Sequence, residues 1–176
     1  MKTIWKLLTS IFNFLFSSDE TPAKNINVAR IEEYIEAGLT AALGVSLTIK
    51  TLPVMKLYTT RLRTQTVFFQ TSVEDFRKKT EGKEVIDLNN PEMETIVFSI
   101  SSGLESLLEL IGDILTALEN NIVKRPSKSI DKVLSTHSAL EIVVSIFKEM
   151  LNPKDVSFIE THQLMQQETG ALSVLK

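Results

Sequence analysis

Residues 91–122 read PEMETIVFSISSGLESLLELIGDILTALENNI, and the spacing of apolar side chains in this stretch decides the fold. Val97, Ile100, Leu104, Leu107, Leu108, Ile111, Ile114, Leu115, Leu118 and Ile122 recur at three- and four-residue intervals, which lays them along one side of an α-helix. At 1.5 Å per residue the stripe runs for roughly 45 Å, long enough to be the spine of a core. Its start is marked as well. Asn90 precedes Pro91, Glu92 and Glu94; an Asn oxygen accepts from a free backbone N–H, proline fits a first turn, and acids suit the positive end of the helix dipole.

Working outward toward the C-terminus, residues 124–128 contain Pro126 and read as a loop. Ser129 is the expected cap of a second helix carrying Ile130, Val133, Leu134, Leu140, Val144, Phe147 and Leu151, which Asn152 and Pro153 end. A weaker helix is predicted over 154–167, and residues 171–176 read as a short tail. Toward the N-terminus, Ile31, Tyr34, Ile35, Leu39, Ala42 and Leu43 mark a helix from Val28. Its small residues Ala37, Gly38, Ala41 and Ala42 would let another backbone approach closely.

Two periods compete between residues 44 and 70. Val45, Leu47 and Ile49 alternate with polar residues, as do Tyr58, Thr60, Leu62 and Thr64, and the threonine-rich composition favours strands. Against that, Leu62, Phe69, Val73 and Phe76 fit a helical stripe continuing to Lys79, and Pro53 would interrupt a central strand or open a helix. Helix is the preferred reading. A further option starts a new helix at a capping box formed by Thr71 and Glu74, ending at Gly82. The expected fold is therefore an all-α helical bundle, with an α+β variant holding a small hairpin within 44–70 as the alternative. The bundle domain should span residues 28–170.

The first residues, MKTIWKLLTSIFNFLFSS, carry the strongest hint about function. At 100° per residue Ile4, Trp5, Leu7, Leu8, Ile11, Phe12, Phe14, Leu15 and Phe16 share one broad arc. Lys2, Thr3, Lys6, Thr9, Ser10, Asn13 and Ser17 fill the other. The segment is shorter than the roughly 20 apolar residues of a membrane span, and Lys6 and Asn13 interrupt it. A wide aromatic face opposed by two lysines suits a helix lying in the interface of an anionic bilayer. The expected membrane-contact residues are Ile4, Trp5, Leu8, Ile11, Phe12, Leu15, Phe16, Lys2 and Lys6 within a helix over 1–17, on a linker over 18–27. The same amphipathic pattern serves docking onto the chain's own domain or a partner protein. A cleaved signal peptide is the third reading, poorly served by bulky Phe16 before a cut after Ser18.

Composition sets the outer limits. The chain has 176 residues, 43% hydrophobic and 23% charged, which is ordinary for one folded domain. A net charge of −3 offers no global attraction to phosphate backbones, so nucleic acid is not the expected partner. The absence of cysteine removes disulfides, thiolate metal sites and cysteine nucleophiles. Neither G-x-G-x-x-G, G-x-x-x-x-G-K-[ST] nor G-x-S-x-G occurs. His137 and Glu141 stand four apart on a predicted helix, but His137 follows Val133 and Leu134 on the apolar stripe and reads as a half-buried core residue. His162 reads as a surface residue. Glu105, Glu109 and Asp113 form an acidic stripe at four-residue spacing. Like charges so placed repel by a few tenths of a kcal/mol, roughly. The plain reading is a solvated face; a basic partner or a neighbouring basic helix is the alternative, and a metal the third. Basic clusters at Arg61 and Arg63, at Arg77 to Lys79 with Lys83, and at Lys124, Arg125, Lys128 and Lys132 fall where helices are expected to end.

These readings converge on a non-enzymatic helical subunit, without cofactor, held at the cytoplasmic face of a membrane by residues 1–17. It would serve as a structural or adaptor component with a protein partner or a second copy of itself. A membrane-acting effector such as a toxin or pore former is the alternative, and a small-ligand carrier the second. Secretion would follow if the first segment were cleaved.

Overall fold

Asn27 opens the first helix: its side-chain oxygen accepts from the Ala29 amide at 2.8 Å, giving a partner to one of the donors that a helix start leaves free. The computed structural model describes residues 25–120, 127–151, 167 and 169–175, and over these it is an all-α helical bundle. Helix α1 spans Val28–Ile49. A short 3₁₀ turn at Pro53–Met55 leads into α2, Lys56–Thr80. Helix α3 spans Pro91–Asn120 and α4 spans Ser127–Leu151.

No hairpin forms within 44–70, because residues 44–49 complete α1 and residues 56–70 belong to α2. The threonines that favoured strands satisfy themselves inside helices instead. The hydroxyls of Thr48, Thr59, Thr60, Thr66, Thr71 and Thr80 each donate to the carbonyl four residues earlier, an arrangement helices tolerate at small cost. Thr71 thus sits within α2 and starts no helix of its own. The end of α2 is as expected: Gly82 takes a φ of 74°, the left-handed region that glycine enters without penalty just past a helix.

Two short strands join what the helices separate. Asn25–Asn27 (β1) pairs antiparallel with Val85–Asp87 (β2), with Ile26 opposite Ile86, and both isoleucines are buried. Asn25–Asn27 therefore belongs to a ladder, not to the linker expected over 18–27; residues 18–24 lie outside the described residues. Three residues are too few to show a period of two, so neither strand is visible in the sequence. From β2 the chain turns into α3 through Asn90, whose side chain accepts from the Glu92 amide at 3.0 Å.

The core is built around α3, which packs against α2, α4 and α1, while α1 also packs against α2 and α4. The expected stripe holds where it is described. Val97, Ile100, Leu104, Leu107, Ile111, Ile114 and Leu118 are buried, with Leu108 and Leu115 partly so; Ile122 lies outside the described residues. Phe69 of α2 wedges between α1 and α3. A Cβ at Gly103 would overlap its Cδ2, and a Cβ at Gly38 would stand 3.2 Å from its Cε1 and overlap Leu104 Cδ2. The small residues of α1 are thus filled by the chain's own helices. Tyr34 and Phe147 join α1 to α4 with ring centroids 5.0 Å apart.

Three expectations need correction. Leu43 and Leu134 are 61% and 45% exposed; each is turned about 100° from a buried neighbour, Ala42 or Val133, and falls past the edge of its stripe. Helix α4 begins at Ser127, so Ser129 lies inside it. The stretch read as a tail is helical: residues 169–175 bury Ala171, Leu172 and Leu175. The helix expected over 154–167 lies outside the described residues except at residue 167.

Candidate functional site

On α3, turned away from its buried stripe, stand Glu105, Glu109 and Asp113. The flanking helices supply cations to two of them. Lys148 of α4 reaches Glu105 at 3.1 Å, which also accepts from the Ser101 hydroxyl at 3.3 Å. Arg61 of α2 reaches Asp113 at 3.4 Å and lies over the Tyr58 ring, 5.6 Å from its centroid. All four charged side chains are more than a third exposed, so each pair contributes under about 1 kcal/mol. Glu109 makes no ion pair among the described residues. It lines a polar groove of about 430 Å³ between α2 and α3, with Thr60, Arg61, Thr64, Gln65 and Asp113.

Two members of the basic cluster at the end of α2, Arg77 and Lys79, are spent on the bundle itself. Arg77 binds Glu32 of α1 through two nitrogens, Nε at 3.0 Å and Nη2 at 2.7 Å, and reaches Glu36 at 3.0 Å. This fork-on-carboxylate geometry is the strong form of an ion pair. Hydrogen bonding to Glu32 raises the guanidinium pKa above its ordinary value, partial burial opposes it, and Glu36 adds to the rise. Lys79 reaches Glu92 at 3.1 Å and Asp75 at 3.7 Å, and its pKa is raised chiefly by the bond to Glu92. Glu32 and Glu36, one turn apart on α1, were the sequence signal for this clamp; without a contact map nothing pairs them with Arg77.

His137 is half-buried against α3, where Gly112 leaves room for the ring: a Cβ there would stand 3.2 Å from His137 Nε2. It makes no hydrogen bond to Glu141. Among the described residues no group of three His, Asp or Glu side chains is placed to hold a metal ion. His162, Lys124 and Arg125 lie outside the described residues. So do all nine expected membrane-contact positions, Lys2, Ile4, Trp5, Lys6, Leu8, Ile11, Phe12, Leu15 and Phe16.

Sequence reasoning did not find a second groove, of about 470 Å³, where residues 169–175 lie against α1. Ala29, Ala37, Leu172 and Leu175 line it, and Glu32, Glu33 and Glu36 edge it. Glu32 and Glu36 face Arg77, and Glu33 pairs with Arg30 at 3.2 Å. Large apolar residues are also exposed at Leu43 and Leu47 of α1, and at Leu57, Val67 and Phe68 of α2.

No family model, no curated protein and no solved structure matches the chain. What the geometry of the described residues defines is a bundle built on four long helices and clasped by a two-stranded ladder, with cross-helix ion pairs and shallow grooves on its surface.

Proposed function

We propose that this protein is a non-enzymatic scaffold held at the surface of an anionic membrane by residues 1–17, and that it acts as a structural or adaptor subunit for a protein partner or a second copy. The observation that carries the reading is the segregation of Ile4, Trp5, Leu8, Ile11, Phe12, Leu15 and Phe16 from Lys2 and Lys6 around one helical turn pattern. The bundle supports it in two ways. Its core is closed by its own helices, and its first described residue, Asn25, begins the ladder that fixes where an N-terminal anchor would join the body. Exposed Leu57, Val67 and Phe68 on α2 offer apolar contact area for a partner, and Glu109, without an ion pair among the described residues, offers it a charge.

Flotation with vesicles of equal parts phosphatidylcholine and phosphatidylglycerol tests the anchor. The full chain should float, and a chain beginning at Asn25, which keeps every described element, should stay with the soluble fraction. Equal flotation of both removes the anchor from residues 1–17.

A second reading, a membrane-acting effector, is favoured by one observation. Helix α3 is 30 residues long and apolar enough to cross a membrane. The same side chains are the bundle's core, since Ile100, Leu104, Leu107, Ile111 and Ile114 are fully buried, so insertion would require the bundle to open. Release of trapped dye from the same vesicles would support this reading over the scaffold.

A further inference from the structure

We propose that, away from the membrane, residues 1–17 dock onto the outer face of α1 along the groove it forms with residues 169–175. The inference rests on the amphipathic reading of that segment. It supplies a regulation: the apolar face that would enter the bilayer is the face that α1 would cover, so self-docking and membrane attachment compete.

The receiving surface is continuous. Glu36, Thr40, Leu43 and Leu47 follow one another at four-, three- and four-residue steps, which places them on one side of α1. The groove occupies the first half of that side, with Ala29, Ala37, Leu172 and Leu175 as its apolar lining. Along the second half Leu43 and Leu47 are 61% and 49% exposed, and among the described residues nothing stands within 4 Å of where a Cβ on Gly44 would be. From Ala29 to Leu47 the surface runs about 27 Å, and a 17-residue helix measures about 25 Å.

The tether fits one orientation. Strand β1 passes directly into α1 at Val28, so the connection leaves the bundle beside the Ala29 end of this face. Seven residues, 18–24, span at most roughly 25 Å. That length turns a helix back antiparallel to α1 with slack, whereas a parallel helix would need the connection to retrace nearly the whole face fully extended. In the antiparallel arrangement Leu15 and Phe16 meet the groove, and Trp5 lies against Leu43 and Leu47.

Two other occupants fit less well. An anionic bilayer would meet Glu32, Glu33 and Glu36 along the groove, and like charges oppose that contact. A second copy would need about 800 Å² from each partner for a standard interface, more than two leucines and a shallow groove supply. A tethered segment needs far less contact, because its effective concentration is of the order of millimolar.

Trp5 is the single tryptophan of the chain, which makes its fluorescence a direct reporter. In buffer without vesicles, the full-length protein should emit at shorter wavelength than the double variant Leu43→Gln, Leu47→Gln. With phosphatidylcholine–phosphatidylglycerol vesicles the variant should bind at least about threefold more tightly, because the competing docked state is lost. Both leucines are exposed, so neutral glutamine leaves the core intact, and circular dichroism of the variant checks this. Identical, solvent-like Trp5 emission in the two proteins overturns the docking; if vesicles then still shift Trp5, the membrane reading survives it. Different emission with no binding of either protein to vesicles supports the docking and sinks the membrane reading. A short-wavelength emission that reverts on dilution identifies a second copy as the occupant and overturns the intramolecular contact.

Discussion

Glycine does opposite things at two positions of this chain, and the difference shows which local effect governs the core. At Gly103 an added methyl would overlap the Phe69 ring and stand 3.1 Å from its Cε2, and Phe69 is 1% exposed with no room to retreat. Overpacking of this kind costs about 1–3 kcal/mol, against a gain in helix propensity of about 1 kcal/mol. Gly103→Ala should therefore destabilise the bundle, by up to about 2 kcal/mol in urea titration. Gly44 lies in α1 with no atom of the described residues within 4 Å of where the methyl would go. Gly44→Ala should stabilise by about 0.5–1 kcal/mol and raise Tm by about 1–4 °C. If both substitutions moved stability the same way, the wedge between Gly38 and Gly103 would not be what fixes α1, α2 and α3 together. None of this is readable in sequence, where Gly103 looks like a flaw in a good helix. Its purpose appears only once Phe69, 34 positions earlier, is seen beside it.

Between elements, the strongest polar link is the Arg77 fork that ties α2 to α1. Arg77→Gln should cost about 1 kcal/mol, at the upper end of what surface pairs contribute because the geometry is two-pronged and shared by two carboxylates. Its pKa, like that of Lys79, is raised in the folded state. The contribution of such a base is complete below its ordinary value and disappears as pH rises through the higher folded value. Lys79 has the lower ordinary value, 10.5, so its bonds to Glu92 and Asp75 fail first on the alkaline side. Thermal midpoints of the wild type and Lys79→Gln, followed from neutral pH upward, should differ at pH 8 and converge once pH passes well above 10.5. Helices α1 to α4 were legible in sequence because their apolar stripes are long: Leu62, Phe69, Val73 and Phe76 outweighed the alternating threonines. What the sequence hid was pairing across helices. The acidic stripe on α3 finds Arg61 and Lys148 on two different helices, and Glu32 and Glu36 find Arg77. Spacing along one element cannot report partners on another.

At the scale of the whole molecule, three residues of β1 and three of β2 hold together positions far apart in sequence, since Ile26 faces Ile86 across 60 residues. The entropy of closing so long a loop rises with its length, and six residues of ladder return little for it. This imbalance predicts that the clasp forms late in folding, after α1 and α2 have packed and carried their outer ends together. Ile86→Ala should speed unfolding while leaving the refolding rate nearly unchanged, a φ-value near zero by stopped-flow. Until that last step Asn25, where the described chain begins, has no ladder partner. Under the proposed anchoring by residues 1–17, a newly made chain would gain a fixed point of attachment only when folding is otherwise complete, so the clasp would order maturation in time: body first, attachment afterwards.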